Sequence, residues 1–565
     1  MSSNTFGALT HTTRTKNMKK TPEQQAAVDS NAQRILVVAS PGSGKTATIA
    51  ARITRLLTEG ADPSRMVCIT FTNAGATELA SRIAAQHPGV FLSYIGTLHG
   101  YMLRIVNRNA LHRALRVIDE EQGVEQLRLA AEEMRYKLGK EGIPKALEEA
   151  RKRHYTPAGK RDTSKESVVI GRYYSRLRVA GLCDFDSLLQ LGLQSIKADP
   201  VFIEHLFVDE FQDSALIDAQ IYEALEVTGT RCFVGDPDQA IYGFRGGAVR
   251  LINDMAEGDI WRTYRLEHNF RSAPEICAAA QRLIERSSRR VDKRTLPTRP
   301  PGGTVTPCYH YGADTEEATA IAATVKRCIA EGTPPEEIAV LARRNSVINA
   351  IADMVEVYGS PVARRAKVEL PPDWREARMT LELLADPFNP TLQAMWLRAK
   401  LPGEAEGIIR TAASEQTTPF RAGNINWAFA SHFPWPEALA RNGISRASID
   451  RLQSIAAELV NPTPSDVSLA IAQAAHSSKE IGAGVTCTTC HASKGREWKT
   501  VIIAGCEAEQ FDAEGNEDED RRLFFVAMTR AKDTLHFTRA QYRRQTYGRK
   551  EMAPTNPSRF LDDIA

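Results

Sequence analysis

The sequence lacks several features that would place a protein in a specialised class. No stretch approaches the run of about 18 consecutive apolar residues that a membrane helix requires. The first 20 residues contain no apolar core of the kind that a signal peptide needs. The 9 cysteines are an odd number scattered over 565 residues, which excludes a disulfide framework. We therefore expect a soluble, cytoplasmic protein with no membrane partner.

The sequence also has almost no net charge. It contains 72 Lys+Arg against 69 Asp+Glu, which leaves a net charge of +3 and excludes a uniformly basic protein. Local basic segments remain at residues 145–178, which include three tyrosines, and at 282–299. The first is either a solvated helical insertion or a surface for single-stranded nucleic acid. The run 507–520 holds eight acids and no base, and it is interpreted as a solvated loop.

Short β-branched runs alternate with helical patterns along much of the chain. At about 150 residues per domain, the length predicts roughly three to four domains. Parallel sheets with helical crossovers produce this alternation, and they place ligand-binding loops at the carboxyl ends of their strands. Helical patterns without strands fill residues 98–180 and 365–480. The latter segment contains four tryptophans, which we assign to core packing: Trp374, Trp396, Trp427 and Trp435. The expected strands are 35–38, 67–72, 206–208, 232–234, 338–341 and 501–503.

A strand, a glycine-containing loop and a helical pattern follow one another near the N-terminus. In such a loop, backbone N–H groups cradle phosphate oxygens, a lysine contacts the β- and γ-phosphates, and a Thr hydroxyl binds Mg²⁺. The first glycine of the usual pattern is replaced here by Ala39. The candidate nucleotide-binding residues are Ala39, Ser40, Pro41, Gly42, Ser43, Gly44, Lys45 and Thr46.

A second half-site follows the apolar run at 206–208. Nucleotide hydrolysis needs an acid that holds the metal and a neighbouring acid that orients and deprotonates water. Asp209 and Glu210 provide this pair at a predicted strand end. We therefore expect Asp209 to bind Mg²⁺ together with Thr46, and Glu210 to act on the attacking water.

Longer strings of residues carry a family resemblance. Residues 208–214 (VDEFQDS) and 234–246 (VGDPDQAIYGFRG) resemble the UvrD/Rep-like helicases of superfamily 1A. Further matching strings occur in the family order: 21–25 (TPEQQ), 70–73 (TFTN), 96–99 (GTLH), 184–186 (DFD), 268–272 (HNFRS), 489–498 (TCHASKGREW) and 525–532 (FVAMTRAK).

The resemblance implies an α/β fold with tandem RecA-like P-loop NTPase domains, in which parallel sheets are flanked by helices, and two helical insertion subdomains. ATP would bind in the cleft between the two RecA-like domains. The corresponding boundaries are 21–97 and 181–275 for domain 1A, 98–180 for insertion 1B, 276–364 and 481–565 for domain 2A, and 365–480 for a reduced insertion 2B. Composition alone predicts a disordered N-terminal arm over 1–20, which is Ser/Thr-rich, basic and free of acids; an organelle transit peptide is the alternative, but the segment lacks its Arg-rich amphipathic pattern.

The same resemblance assigns residues to the ATP site. Gln24 would bind the adenine edge, Phe270 would stack on the base, and Glu497 would lie near the ribose and triphosphate. The expected catalytic set is Lys45, Asp209, Glu210, Gln239, Arg271 and Arg530, with Gln239 sensing the γ-phosphate and the two arginines neutralising transition-state charge. Many relatives have Arg at the position of Ala47, and alanine cannot form the same contact with the nucleotide.

The expected DNA contacts also come from the resemblance. Aromatic rings that stack on bases and polar groups that contact phosphates would bind a single strand without sequence preference. The matching positions are Phe71, Thr72, Asn73, Thr97, His99, Tyr242, Phe244, Arg245 and His491. Residues 487–491 also match the CxxCH haem-attachment signature, but they run directly into a family motif, so haem attachment is not expected.

These expectations define an ATP-dependent DNA helicase or translocase with ATP and Mg²⁺ as cofactors. It would move 3′ to 5′ on single-stranded DNA and unwind 3′-tailed or forked duplexes in repair, recombination or replication. The reduced 2B insertion supports an alternative, in which the chain is the DNA-stimulated ATPase subunit of a larger repair or defence complex and needs a protein partner to unwind. A nucleotide-gated DNA-binding switch that does not hydrolyse ATP ranks lower, because the whole catalytic set is present.

Overall fold

The computed structural model describes most of the chain. The described residues are 20–108, 116–118, 120–136, 164–241, 248–288, 290–367, 373–385, 434–456, 478–481, 484–512, 516–544 and 552–564, with shorter stretches between 393 and 471. The chain divides into two compact units. Unit 1 comprises 1–101, 196–360 and 487–565, and unit 2 comprises 102–195 and 361–486. The four-part division into 1A, 1B, 2A and 2B stays a prediction.

The first sheet of unit 1 is formed by six strands, all paired in parallel. Its strands lie in the order Tyr94–Thr97, Met66–Thr70, Phe202–Val208, Glu226–Gly235, Arg34–Ala39 and Arg262–Leu266. The helices associated with it are Pro22–Asp29, Lys45–Thr58, Asn73–Ala84, Leu216–Ala224 and Ala248–Glu257. Short 3-10 turns occupy Pro63–Arg65, Phe211–Asp213 and Pro237–Gln239.

The central strands of this sheet are apolar on both faces. Ile35, Leu36, Val37 and Val38 are fully buried in succession, because helices cover the two sides of the parallel sheet. Val37 pairs with Val234 on one side and with Tyr264 on the other. The sheet therefore holds the end of this strand, where the phosphate loop begins, in a fixed position.

The second sheet of unit 1 contains the later predicted strands. Its strands follow the order Thr304–Ala313, Ala531–Arg544, Trp498–Ile503, Ile338–Ala342 and Val485–Thr489, and Met552–Pro554 pairs with the second of these. Leu296–Pro297 pairs separately with His268–Asn269. The helices in this part are Pro274–Ile284, Asp314–Ala330, Asn345–Val357, Ala508–Phe511, Glu517–Met528 and Phe560–Ile564, with 3-10 turns at Pro335–Glu337 and His491–Ser493.

Unit 2 is mainly helical. Its helices are Glu120–Glu133, Lys165–Val179, Trp374–Ala385, Ala405–Ser414, Pro419–Ala422, Trp435–Arg441 and Arg446–Ala456. Two helices, Leu98–Arg108 and Phe185–Ala198, cross the boundaries of the two units. Two strand pairs complete the unit: Arg116–Val117 with Leu182–Cys183, and Val362–Lys367 with Ser478–Ile481.

The predicted fold class is confirmed by these elements. All six expected strands are present, and the structure is mixed α/β with parallel sheets flanked by helices. The core assignment holds for Trp374, Trp396 and Trp435, which pack against apolar clusters of unit 2, whereas Trp427 lies outside the described residues. No helix in the described ranges is long and apolar enough to cross a membrane.

The interpretation of the acidic run as a solvated loop was wrong. Most of residues 507–520 are helical, in Ala508–Phe511 and at the start of Glu517–Met528. Glu507 and Asp520 are buried, and each carboxylate contacts an arginine. A buried charge is stable only when it is paired, and the partner arginines lie too far along the sequence for a local pattern to reveal them.

The basic segments are also less exposed than their composition suggested. In the described part of 145–178, Tyr173 is fully buried, and Arg172 and Arg176 form ion pairs with Glu133. In 282–299, several cations have partners within the protein: Arg282 contacts Ile564, Arg290 contacts Asp238, Lys293 contacts Asp236, and Arg299 contacts Asp533. These cations therefore do not form a free basic surface.

A buried ion network stabilises the second sheet. The guanidinium of Arg543 contacts the carboxylates of Glu317 and Glu507, and its Nε lies 2.6 Å from Glu507 Oε2. Thr538 donates to Glu317 at 2.7 Å, and the Ala540 amide donates to Glu507 at 2.9 Å. Burial raises the pKa of Glu507, although Arg543 opposes the shift. The network joins the Asp314–Ala330 helix to the Ala531–Arg544 strand.

We predict that Arg543→Met lowers the free energy of unfolding by about 3 to 5 kcal/mol, because it leaves two buried carboxylates without their cation. Arg544→Met is the control: the Arg544 side chain is 36% exposed in its pair with Asp314, and its loss should cost under about 1 kcal/mol. Urea denaturation of both variants provides the measurement. Equal midpoints would show that the buried network contributes no more than the exposed pair.

Candidate active site

The phosphate loop begins at the end of a buried strand. Ala39 is the last residue of that strand, and it is fully buried in extended conformation, so a glycine is not required there. Gly42 and Gly44 have φ values of +66° and +77°, in the left-handed region that favours glycine. Gly44 is also the N-cap of the Lys45–Thr58 helix, and no side chain caps the N–H groups of that turn. The loop therefore presents N–H groups that can bind an anion.

Gln24 lies beside this loop. Its Nε2 donates to the Ser43 carbonyl at 2.8 Å, and its Oε1 accepts from the Thr21 amide at 2.9 Å. These bonds leave one N–H and one acceptor position of the amide for a ligand. The helix Pro22–Asp29 that bears Gln24 is fixed by Arg52, whose buried guanidinium donates to the carbonyls of Ala27, Val28 and Ser30.

The two acids that follow the strand Phe202–Val208 face the phosphate loop. Lys45 Nζ lies 3.0 Å from Glu210 Oε2, and the Thr46 hydroxyl donates to Asp209 Oδ2 at 3.3 Å. Glu210 has a positive φ of 53°. Within the described part of the chain, Arg135 is the only other non-glycine residue with a positive φ. This left-handed conformation costs a non-glycine residue roughly 1 to 2 kcal/mol, and such strain is typical of functional sites.

Burial and charge shift these groups in different directions. Burial raises the pKa of Asp209, and the adjacent Glu210 charge adds to the effect. Burial also disfavours charge on Glu210, but Lys45 and Lys494 outweigh it and hold the pKa of Glu210 below its usual value. Burial alone lowers the pKa of Lys45, yet the surrounding carboxylates outweigh it and raise that pKa. The opposite shifts of the two acids follow from the close approach of Lys45 to Glu210 and from the burial of Asp209.

Gln212, which follows the Phe202–Val208 strand, links the acid pair to the residues after the Glu226–Gly235 strand. Gln212 donates to Glu210 and accepts from the Asp236 amide at 2.8 Å. Gln239 donates its side-chain N–H to Asp236. Gln212 and Asp236 therefore connect the acid pair to Gln239, although neither was assigned a role from the sequence.

Residues from the second sheet reach the same cluster. Arg530 donates to Gln239 Oε1 at 3.0 Å, and Lys494 donates to the Asp213 carboxylate at 2.6 Å and to the Gln239 carbonyl at 2.9 Å. Arg530 is only 1% exposed; burial and the nearby Arg271 lower the pKa of its guanidinium. The site is thus assembled from both sheets of unit 1.

A cavity of about 340 Å³ is lined by the remaining residues that the sequence assigned to nucleotide binding, together with Arg299 and Lys532. Arg271 contacts Glu497 at 2.6 Å and the Thr529 carbonyl at 3.0 Å. The Phe270 amide donates to the Gly42 carbonyl at 3.0 Å. The predicted residues that line this cavity are Phe270, Arg271 and Glu497.

Five of the nine predicted DNA-binding residues lie together at the carboxyl edge of the first sheet. Their strands, Met66–Thr70 and Tyr94–Thr97, are neighbours, with Thr70 paired to Thr97. The five residues are Phe71, Thr72, Asn73, Thr97 and His99. The Thr72 hydroxyl also caps the helix that follows by accepting from the Gly75 amide.

The other four predicted DNA-binding residues do not lie at this edge of the first sheet within the described part of the chain. Tyr242, Phe244 and Arg245 lie outside the described residues. His491 follows the second-sheet strand Val485–Thr489, and its ring lies 2.9 Å from an Arg343 nitrogen. In the CxxCH string, Cys490 is fully buried, and burial raises the pKa of its thiol to about 12, which disfavours the reactive thiolate.

Two largely parallel sheets, with a phosphate loop and an acid pair at the carboxyl ends of two strands of the first sheet, define the class: tandem RecA-like domains of the P-loop type. Residues 20–258 match the UvrD/REP helicase N-terminal domain, and residues 264–363 and 446–542 match the UvrD-like helicase C-terminal domain. These matches cover more than half of the chain. The chain therefore belongs to the UvrD/Rep helicase family.

Similar proteins align over most of the chain. "ATP-dependent DNA helicase UvrD1" of Mycobacterium tuberculosis is 27% identical over 659 residues, covering 96% of this chain and 84% of the relative. "DNA helicase II" of Escherichia coli is 26% identical over 635 residues, covering 96% and 87%. "DNA helicase II" of Haemophilus influenzae is 25% identical over 623 residues, covering 94% and 84%.

We predict that Gly42→Ala weakens nucleotide binding, because a Cβ at Gly42 would lie 2.7 Å from Arg271 Cβ. The loop must shift to relieve this contact, so affinity for a fluorescent ATP analogue should fall by about tenfold, or about 1.4 kcal/mol. Gly60→Ala is the matched control: Gly60 has a φ of +93°, but its Cβ would meet no atom within 4 Å. If both variants bind the analogue equally well, the close approach at Gly42 does not shape the site.

Proposed function

We propose that this protein is an ATP-dependent DNA helicase and translocase that moves 3′ to 5′ on single-stranded DNA and unwinds tailed or forked duplexes. One observation carries the proposal: Lys494 and Arg530, from the second sheet, contact Asp213 and Gln239, which follow strands of the first sheet. A site built from two sheets can couple hydrolysis to their relative motion, which is what a motor requires.

The geometry supports distinct roles for Lys45 and Glu210. Lys45 has three donors, and it already contacts Glu210 at 3.0 Å. When the triphosphate enters the loop, its β- and γ-phosphate oxygens compete for the lysine. Glu210 then orients the attacking water and accepts its proton, while Gln212 holds the carboxylate in place.

The oxygen groups of Thr46 and Asp209 suit Mg²⁺, which prefers hard ligands and keeps few protein contacts beside phosphate and water. They are neighbours in the structure, since the Thr46 hydroxyl donates to Asp209 at 3.3 Å. Thr46 and Asp209 would hold the ion. When bound, Mg²⁺ would neutralise charge on the phosphates.

Charge that develops on the γ-phosphate during transfer requires cations close to it. Arg530 is held by Gln239, and Arg271 is held by Glu497 and by the Thr529 carbonyl. Both arginines are therefore already oriented, and little reorganisation would be needed at the moment of reaction. We assign them the neutralisation of this charge and assign Gln239 the sensing of the γ-phosphate.

The DNA strand is proposed to contact the carboxyl edge of the first sheet. Phe71 directly follows one strand, Thr97 ends the neighbouring strand, and His99 lies in the first turn of the helix after it. The carboxyl ends of strands in open parallel sheets are where ligands bind. Ring stacking on bases contributes about 1 to 3 kcal/mol per base and requires no particular sequence. The 3′ to 5′ direction rests on the family resemblance.

We predict that Lys45→Ala and Glu210→Gln each lower DNA-stimulated ATP hydrolysis at least about 100-fold, since each removes a group that acts on the reacting phosphate or water. Glu210→Gln should retain ATP-analogue binding, because the lysine and the loop remain. Lys326→Ala is a control that should leave hydrolysis unchanged, since Lys326 is an exposed lysine on the helix Asp314–Ala330. Rapid turnover in either site variant would refute the assignments.

The direction and the unwinding activity have a separate test. Purified protein should displace the strand of a 3′-tailed duplex but not of a 5′-tailed one. Displacement of the 5′-tailed duplex alone would reverse the proposed polarity. Hydrolysis without displacement, restored by an added partner, would instead support an ATPase subunit of a larger complex.

A further inference from the structure

A lysine outside every recognised motif is buried in the centre of the site. Lys293 belongs to the basic segment 282–299, yet its side chain is only 1% exposed. Its ammonium donates to the Ala39 carbonyl at 2.9 Å and contacts the carboxylate of Asp236. It also lies 3.2 Å from Asp238 Oδ2. One side chain therefore joins the start of the phosphate loop to the two acids that precede Gln239.

The surroundings of Lys293 form a balanced set of charges. Asp236 and Asp238 are both buried, and Arg290 supplies the second cation at 2.9 Å from Asp238. A buried ion without a partner costs several kcal/mol. The two acids therefore need both cations, and Lys293 is the one that reaches Asp236.

Asp236 in turn determines how Gln239 is oriented. The Gln239 amide nitrogen donates to Asp236, so its oxygen points to Arg530, from which it accepts at 3.0 Å. An Asp236 carboxylate without Lys293 would lose the cation that fixes it. The chain of contacts thus runs from Ala39 through Lys293, Asp236 and Gln239 to Arg530.

The backbone next to Lys293 also contacts the phosphate loop. The Ser40 hydroxyl donates to the Arg294 carbonyl at 2.9 Å, and Arg265 donates to the Asp292 carbonyl at 2.8 Å. These contacts hold the 292–294 segment against the end of the Arg262–Leu266 strand and the start of the loop. Lys293 is therefore anchored independently of any ligand.

We propose that Lys293 is a positioning residue that couples the phosphate loop to Gln239 by fixing the Asp236 carboxylate. This inference rests on the proposed function, since it assigns Lys293 to the same hydrolytic site. Its loss should lower the rate of hydrolysis more than it lowers nucleotide affinity, because Lys293 acts on the orientation of Gln239 and Arg530.

The first test compares Lys293→Met with Arg294→Met. Arg294 is the neighbouring cation, and its side chain is exposed. DNA-stimulated kcat should fall about 10- to 100-fold in Lys293→Met, as expected for a misplaced catalytic group, while KM for ATP changes less than about threefold. Single-stranded DNA affinity should be unchanged in Lys293→Met. A kcat equal to the wild-type value, or a loss of DNA affinity without a loss of kcat, would overturn the proposal.

A second variant addresses folding. Lys293→Met/Asp238→Asn removes one buried charge of each sign, so the cluster stays balanced even if the single variant unfolds. We expect the same kcat loss in this double variant with a circular dichroism spectrum like that of the wild type. A folded double variant with wild-type kcat would refute the role of Lys293.

A double-mutant cycle with Gln239→Ala tests the route of action. If Lys293 acts through Gln239, Lys293→Met should lower kcat little further in the Gln239→Ala background. An equal fold-loss in both backgrounds would contradict that route. The wild-type protein in the same assays separates the two claims: an inactive wild type would overturn the proposed function, whereas an active wild type with an equally active Lys293→Met overturns this inference alone.

Discussion

The arrangement of the site depends on one constraint, which is that two adjacent carboxylates, the buried Asp209 and the half-buried Glu210, must be compensated by cations. Asp209 and Glu210 follow one strand and lie beside the phosphate loop. Lys45 from that loop contacts Glu210, and the charge of Lys494 from the second sheet also favours its ionised form. The ionised form of Glu210 is therefore stabilised by cations from both sheets.

The distribution of charge follows from the same requirement. Cations that the sequence places in apparent surface runs, such as Lys293 and Arg290, are directed inward to Asp236 and Asp238. A near-neutral chain can thus concentrate its charge in internal pairs. The polar network at the centre of the site is extensive, and each member limits the orientation of the next. Such preorganisation is what electrostatic catalysis requires.

Much of the fold and of the site could be predicted from the sequence. Strand positions followed from β-branched runs. The phosphate-loop pattern, the acid pair and the family resemblance led us to expect Lys45, Asp209 and Arg530 at one site, and their catalytic roles stay predictions. Lys293 could not be found in this way, because its partner Asp236 is 57 residues away and a lysine in a basic run resembles a surface residue. The interpretation of the acidic run 507–520 as a solvated loop was wrong for the same reason, since the burial of Glu507 depends on Arg543, on a strand distant in sequence.

The central claim is that hydrolysis requires the second sheet to complete a site on the first. Arg530→Lys tests it most directly, because lysine keeps the charge but cannot reproduce the forked contacts of the guanidinium. Single-turnover hydrolysis with single-stranded DNA is the measurement. The account predicts a rate lowered about 100-fold with ATP-analogue affinity within a few-fold of the wild type. An unchanged rate in a folded Arg530→Lys variant would contradict it.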